Sequence, residues 1–147
     1  MGVIIPQVVS EDRAGGAQVI DGGLRFDSSR SQYLTRTPSS AGNRRTWTWS
    51  GWVKRIKPGS TQAVFSVYSG NSDTGNINAQ FTNTDVFKID AYSGNFFSST
   101  RVFRDPSSWM HLVVVFDSTN STSTDRIKVY QNGSRINDFT SSVTITQ

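Results

Sequence analysis

The sequence contains no cysteine among its 147 residues. A chain without thiols has no disulfide framework, no thiolate metal site and no cysteine nucleophile. Its stability must therefore come from packing within the chain or against partner chains.

Acid–base side chains are scarce as well, because the chain has one glutamate, Glu11, and one histidine, His111. Any histidine-dependent triad would have to use His111. This residue lies inside an apolar run at residues 109–116, where a strand position supplies packing and one hydrogen bond. We expect a structural histidine and no catalytic residue.

Long apolar runs are also missing, and no stretch approaches the ~18 apolar residues of a membrane-spanning helix. The apolar residues 1–10 have no basic region and are interrupted by Pro6, which argues against a secretion signal. Pro6 also stands where a myristoylated chain requires serine or threonine. We expect no membrane insertion, and a protein that leaves the cytoplasm only as part of a larger particle.

The residues that are present favour short strands. Hydrophobic residues make up 35% and charged residues 18%, which is low for a globular protein, while 12% aromatics argues against disorder. Apolar residues alternate over short stretches and do not recur at helical spacing. The sequence predicts an all-β, antiparallel β-sandwich, with strands at residues 24–26, 33–34, 46–54, 63–68, 77–81, 86–92, 109–116, 126–130 and 134–136.

Three of these stretches carry the clearest patterns. Alternation at residues 46–54 turns Trp47 and Trp49 to one face and Trp52 to the other. The valine-rich run at residues 109–116 suits a strand covered on both faces. Asn132-Gly133 tolerates positive φ at both positions and predicts a two-residue hairpin.

The two ends differ from the middle. We predict an extended N-terminal arm at residues 1–21 and a sandwich domain at residues 22–147. An exposed apolar arm usually docks on a partner surface. Residues 143–146 read as a strand with no closing turn, which would leave an open edge. The sandwich is therefore expected to be incomplete at its C-terminus, continuing beyond Gln147 or completed by another chain. The candidate anchoring residues of the arm are Val3, Ile4, Ile5, Val8 and Val9.

Five segments carry a family resemblance: GLRFD at 23–27, SQYL at 31–34, TWSGWVK at 48–54, SWMHLVVVFD at 108–117 and IKVYQNG at 127–133. In this order they resemble the concanavalin A-like, laminin G-like superfamily over residues 22–136. The resemblance implies a jelly-roll sandwich. Residues 36–50 look like domains of marine tailed-bacteriophage structural proteins, often at fibres, which implies a virion protein with other virion proteins as partners and a trimeric state.

Relatives in this superfamily include glucanases that use two glutamates on one strand, and glycoside hydrolysis needs two facing carboxylates. Here Glu11 lies in the predicted arm and no acid-x-acid pair occurs in the strands. We therefore expect no enzyme. Laminin G-like domains can also hold calcium, for which Asp73 and Asp117 are candidate ligands. Turn formation explains both loops equally well, so no cofactor is required.

Three aromatic residues are candidates for contacting a glycan: Trp52, Tyr92 and Phe97. Arg44, Arg45, Lys54, Arg55 and Lys57 make the densest basic cluster in a chain of net charge +4. A solvated loop or a docking patch explains this cluster better than nucleic-acid binding does.

The sequence thus leaves three functions open, all without catalysis. The first is a virion appendage, such as a tail fibre, that attaches to the particle through its arm and presents a host-binding region. The second is a carbohydrate-binding, lectin-like module, whose ligand would be a host surface glycan. The third is a capsid decoration protein.

Overall fold

The computed structural model describes residues 26–68 and 76–146, and the chain divides into two compact units, residues 1–39 and 40–147. In the first unit, the described residues contain one 3-10 helix, Ser28–Arg30, whose N-cap Asp27 accepts a hydrogen bond from the Ser29 N–H. The strand predicted at residues 33–34 is wrong, because Tyr33 and Leu34 are both exposed and form no ladder. The predicted arm, including Val3, Ile4, Ile5, Val8 and Val9, lies outside the described residues.

The second unit confirms the predicted all-β class. Its described residues form nine strands, and a 3-10 helix, Ser123–Asp125, precedes the seventh. Seven of the strands begin and end within two residues of a predicted one. The strands are β1 (Thr46–Val53), β2 (Gln62–Tyr68), β3 (Asn76–Phe81), β4 (Val86–Asp90), β5 (Asn95–Val102), β6 (Met110–Asp117), β7 (Ile127–Gln131), β8 (Ser134–Arg135) and β9 (Phe139–Thr140).

The strands form two antiparallel sheets whose inner faces share one core. One sheet has the order β1-β6-β7-β8 and the other the order β2-β3-β4-β5-β9. Trp47 and Trp49 of β1 reach across to Phe65 of β2, with ring centroids 5.9 and 5.1 Å apart. A Cβ on Gly51 would lie 2.9 Å from the Trp49 ring, so glycine leaves the space that this ring occupies. The core includes Phe81, Phe87, Ile89, Phe97, Leu112, Val114 and Val129.

The central strand β6 is covered more unevenly than its sequence predicts. Every second residue, from Met110 to Phe116, is buried in the core, while the intervening residues are only half-buried. The predicted hairpin is confirmed: Asn132 and Gly133 join β7 to β8 with φ values of 51° and 80°. That hairpin fixes the register of β7 against β8.

The end of the described chain differs from the prediction. Residues 143–146 form no strand. The N–H groups of Ser142 and Val143 donate to the Asn95 carbonyl, at 2.9 and 3.2 Å. Ile145 is buried in the core, and its carbonyl accepts a hydrogen bond from Arg126. No helix among the described residues is long and apolar enough to cross a membrane.

Candidate functional site on the outer face of the four-stranded sheet

The outer face of the four-stranded sheet presents an exposed tryptophan on a rigid base. Trp52 of β1 lies opposite His111 of β6 in the antiparallel register, so both side chains leave the sheet on the same face. Their ring centroids are 5.1 Å apart and the planes are tilted by 34°. The Trp52 residue is 55% exposed. One side of the indole is therefore supported by the imidazole, and much of the ring remains open.

His111 is itself held in place by three contacts. Its Nε2 lies 2.8 Å from the hydroxyl of Ser50, which is the next outward-facing residue of β1. Its backbone N–H donates to the side-chain oxygen of Asn132 at 2.9 Å, and its carbonyl accepts from the Asn132 N–H at 2.8 Å. The imidazole is thus an oriented part of the outer surface, half-buried rather than in the core.

A second row of side chains extends this surface across the sheet. Ser50 lies opposite Val113, Val113 opposite Tyr130, and Tyr130 opposite Arg135. Arg135 also forms an ion pair with Asp125 at 2.6 Å. We call Trp52, His111, Ser50, Val113 and Tyr130 the Trp52 platform.

The platform combines an aromatic surface with hydrogen-bonding groups at its sides. An indole carries negative charge on its ring faces, which attracts the weakly positive C–H groups of an apolar ligand face. Ser50 and Tyr130 add hydroxyl groups that can both donate and accept hydrogen bonds. This arrangement suits a ligand with an apolar face and polar edges.

The other glycan candidates differ in accessibility. Tyr92 follows β4 and is exposed. The prediction for Phe97 is wrong, because this ring is completely buried at 0% exposure and stacks on Phe139 with centroids 4.7 Å apart. Phe97 faces inward because it lies opposite Ile89, another core residue, in the β4–β5 pair.

The calcium candidates receive little geometric support. Asp73 lies outside the described residues. Asp117 accepts hydrogen bonds from the N–H and the hydroxyl of Thr119, at 3.0 and 2.5 Å, and the hydroxyl contact holds the pKa of this carboxyl below its usual value. It thereby caps its own turn. Within residues 26–68 and 76–146, no three His, Cys, Asp or Glu side chains cluster as a metal site.

The predicted basic cluster loses one member, because Arg55 is only 1% exposed. Its Nη1 donates to Asp85 at 3.0 Å and to the Phe103 carbonyl at 2.7 Å, and its guanidinium lies 4.8 Å from the centre of the Phe81 ring. Asp85 also accepts from Gly59 N–H and Arg104, and the Gly59 contact is the main cause of its lowered pKa. Arg55 therefore links loops within the domain and is not part of an exposed docking patch.

Comparison with known proteins gives one match. The family model for laminin G-type domains, described as the concanavalin A-like lectin/glucanases superfamily, matches residues 27–147, which is more than half of the chain. No curated protein and no solved structure matches the chain.

Proposed function

Because the chain belongs to the concanavalin A-like lectin/glucanases superfamily, we propose that it is a non-enzymatic, lectin-like binding module. Its ligand is a glycan held on the Trp52 platform. The observation that carries this proposal is the half-exposed Trp52 indole, supported from one side by His111 and flanked by Ser50.

The chemistry of a sugar ring fits this arrangement. One face of a pyranose carries C–H groups and packs on an aromatic ring, while its hydroxyls point outward to polar neighbours. A preformed surface binds with a smaller loss of side-chain freedom than a mobile one. The contacts of His111 with Ser50 and Asn132 provide that preformed surface.

The absence of catalysis is part of the same proposal. The chain has one glutamate, Glu11, whereas the related glucanases use two, and its only histidine is engaged by Ser50. A general acid needs a raised pKa, whereas hydrogen bonds hold the pKa values of Asp105, Asp117 and Asp138 below their usual range. We expect no sugar release when the protein is incubated with a panel of chromogenic glycosides. Turnover that survives repurification would contradict this part.

A glycan array tests the binding part, with the intact chain as the probe. Trp52→Ala is expected to remove the signal, and the exposed Tyr33 supplies a control in Tyr33→Ala, which should retain it. Tyr92→Ala addresses the other exposed candidate. If Tyr92→Ala removes binding while Trp52→Ala keeps it, the Trp52 platform is the wrong site. An empty array with folded protein would contradict the function itself.

We further propose that the module is carried on a virus particle, as a tail fibre or related appendage. The support is the resemblance of residues 36–50 to phage structural domains, together with the apolar residues Val3, Ile4, Ile5, Val8 and Val9 as an anchor. Deletion of residues 1–21 should abolish incorporation into particles, and unchanged incorporation would contradict anchoring.

Density on the head rather than the tail would instead identify a capsid decoration protein. Light scattering of the purified chain tests the expected trimer.

A further inference from the structure

The edge strands of the two sheets differ in how well they are protected against pairing with another chain. Among the described strands, β1 and β8 are the edges of one sheet and β2 and β9 those of the other. β8 and β9 contain only two residues each, and β2 has a bulge between Ala63 and Phe65. Short edge strands and bulges both discourage pairing. β1 has eight residues in an unbroken register with β6, without proline or charge, and is therefore a regular template for a further strand.

The free edge of β1 carries a regular series of backbone groups. The Ser118 N–H donates to the Arg45 carbonyl at 2.8 Å, one step beyond the first pair of the β1–β6 ladder. Because hydrogen-bonded pairs alternate along an antiparallel ladder, the odd-numbered residues of β1 bond to β6. The N–H and C=O groups of Thr48, Ser50 and Trp52 consequently point to the other side. No described strand pairs with β1 on that side.

Basic side chains lie at both ends of this free edge. The Thr46 N–H donates to the Asn43 side chain at 3.1 Å, which closes the edge at the start of β1. Arg44 and Arg45 lie just before that point, and Lys54 follows the last residue of the strand. All three are exposed, and none forms an ion pair with a described residue. A strand placed along β1 therefore meets positive charge at each end.

The rings beside the free edge favour apolar residues in a partner strand. Trp47 and Trp49 point inward from β1 and contact the ring of Phe65 in β2, and all three residues are half-buried. Since β1 and β2 are both edge strands, these rings form the margin of the core on this side. A strand paired with β1 turns every second side chain toward that margin. Apolar side chains at those positions would bury further ring surface.

From this geometry we infer that β1 is a docking site for an extended segment of another protein, which adds a strand to the four-stranded sheet. The segment alternates apolar and polar residues over about five positions and has acidic residues at both ends. Main-chain hydrogen bonds give such complexes their affinity, and side chains give specificity. A second copy of this chain fits poorly, because antiparallel pairing of two β1 strands brings Arg44 and Arg45 near the other copy's Lys54. The inference concerns a strand edge and does not rest on glycan binding.

Backbone amide NMR of the isotope-labelled full chain tests the inference. The probe is the peptide Glu-Asp-Thr-Val-Thr-Val-Thr-Asp-Glu, which reads the same in both directions and suits either strand direction. The matched control peptide has lysine in place of each acidic residue. We expect the acidic peptide to slow hydrogen exchange at the N–H groups of Thr48, Ser50 and Trp52, and the lysine peptide to bind about tenfold more weakly because like charges repel. Equal binding of the two peptides, or no protection at these three groups, would overturn the inference.

Substitutions at Thr48 separate backbone pairing from side-chain effects. Thr48→Pro removes one N–H from the free edge and none from the β6 ladder, and proline is tolerated on the solvent side of an edge strand. It should weaken the acidic peptide about tenfold, whereas Thr48→Ala, which keeps the N–H, should bind it normally. Normal binding by both variants would contradict strand addition.

A charge reversal outside the strand keeps the inference testable if Thr48→Pro fails to fold. The double variant Arg44→Glu with Arg45→Glu alters no residue of β1. It should lose the preference for the acidic peptide over the lysine peptide. An unchanged preference would contradict the charge match.

The chain without peptide supplies the last test. Hydrogen exchange at Thr48, Ser50 and Trp52 should be fast, as expected for an open edge. Ultracentrifugation of the same sample gives the oligomeric state. Slow exchange in a monomer would show that the chain covers its own edge, and slow exchange that develops with self-association would identify a second copy as the occupant. Either result overturns the inference, and neither bears on glycan binding at the Trp52 platform.

Discussion

The two sheets of this sandwich share one core, but their outer faces expose side chains of different chemistry. The four-stranded sheet presents Trp52 supported by His111, whereas the five-stranded sheet presents Lys88 and Asp90 in an ion pair. Apolar contact dominates the first surface and hydrogen bonding the second. The inner faces set the backbone positions, while the outward residues of each strand are free to differ. A change to the core should therefore affect both faces, and a change to one face should leave the other intact.

The largest expected effect comes from the shared core. Phe97→Ala removes a fully buried ring, and such substitutions cost about 3–5 kcal/mol. Chemical denaturation should show this loss, with Tyr92→Ala as the exposed control. At low temperature, where the variant still folds, the Trp52 platform should bind its glycan normally. A small stability change with selective loss of glycan binding would restore Phe97 as a ligand contact.

A smaller effect is expected at the support of Trp52. Ser50→Ala removes the hydrogen bond to His111, which is worth about 0.5–1.5 kcal/mol. Binding on the Trp52 platform should weaken severalfold in calorimetric titration, because the imidazole beneath the indole is less restrained. Thr48→Ala, another outward position of β1, is the matched control. Equal weakening by both variants would show that the Ser50–His111 contact has no particular role.

Acid should lower stability through the aspartates. Hydrogen bonds from Ser107 and Ser108 lower the pKa of Asp105 from 3.8 to about 2, and the pKa values of Asp117, Asp125 and Asp138 are lowered as well. A carboxyl with a depressed folded-state pKa stabilises the fold above its unfolded pKa and loses this contribution as pH falls through the folded value.

Melting temperature should consequently stay level from neutral pH to about 5 and fall between about pH 4 and 2. Asp105 lies in the connection from β5 to β6, which joins the two sheets. Asp105→Asn should lower stability at neutral pH and flatten the decline in acid. A decline of the same steepness in the variant would show that Asp105 does not contribute to the loss of stability in acid.

The smallest effect is expected for the ion pair between Lys88 and Asp90. Lys88→Met breaks the contact with Asp90, and a partly exposed pair contributes about 0–1 kcal/mol to stability. Chemical denaturation should barely register the change. Lys128→Met on the four-stranded sheet is the matched control. A large stability loss in Lys88→Met would make the pair structural.

Short sequence patterns predicted much of this fold, because strand alternation and turn formation depend on residues that are neighbours along the chain. Alternation in β1 separated Trp52 from Trp47, and Asn132-Gly133 specified the hairpin. β5 was not predicted because Phe96 and Phe97 are consecutive and both buried, which breaks the period of two at an irregular register. The terminal segment was misread because Ile145 packs into the core without pairing.

The candidate site could be predicted only in part, since it depends on contacts between distant residues. Alternation identified Trp52 as outward-facing, but its support by His111 requires the β1–β6 register. In the sequence, Arg55 follows Lys54, and the two together indicate surface charges. The burial of Arg55 becomes evident only from its contact with Asp85, which lies 30 residues away in another loop. A left-handed backbone at Asp85, with φ of 68°, has no simple sequence signal either.

The most direct test of the central claim is the indole N–H signal of Trp52 in the intact chain during titration with neutral hexasaccharides of glucose, xylose, mannose and galactose. We predict a saturable shift with at least one of them, abolished when Trp52 is replaced by alanine and preserved in Tyr33→Ala. If any hexasaccharide binds the protein by calorimetry while the Trp52 signal stays fixed, the Trp52 platform is not the glycan site.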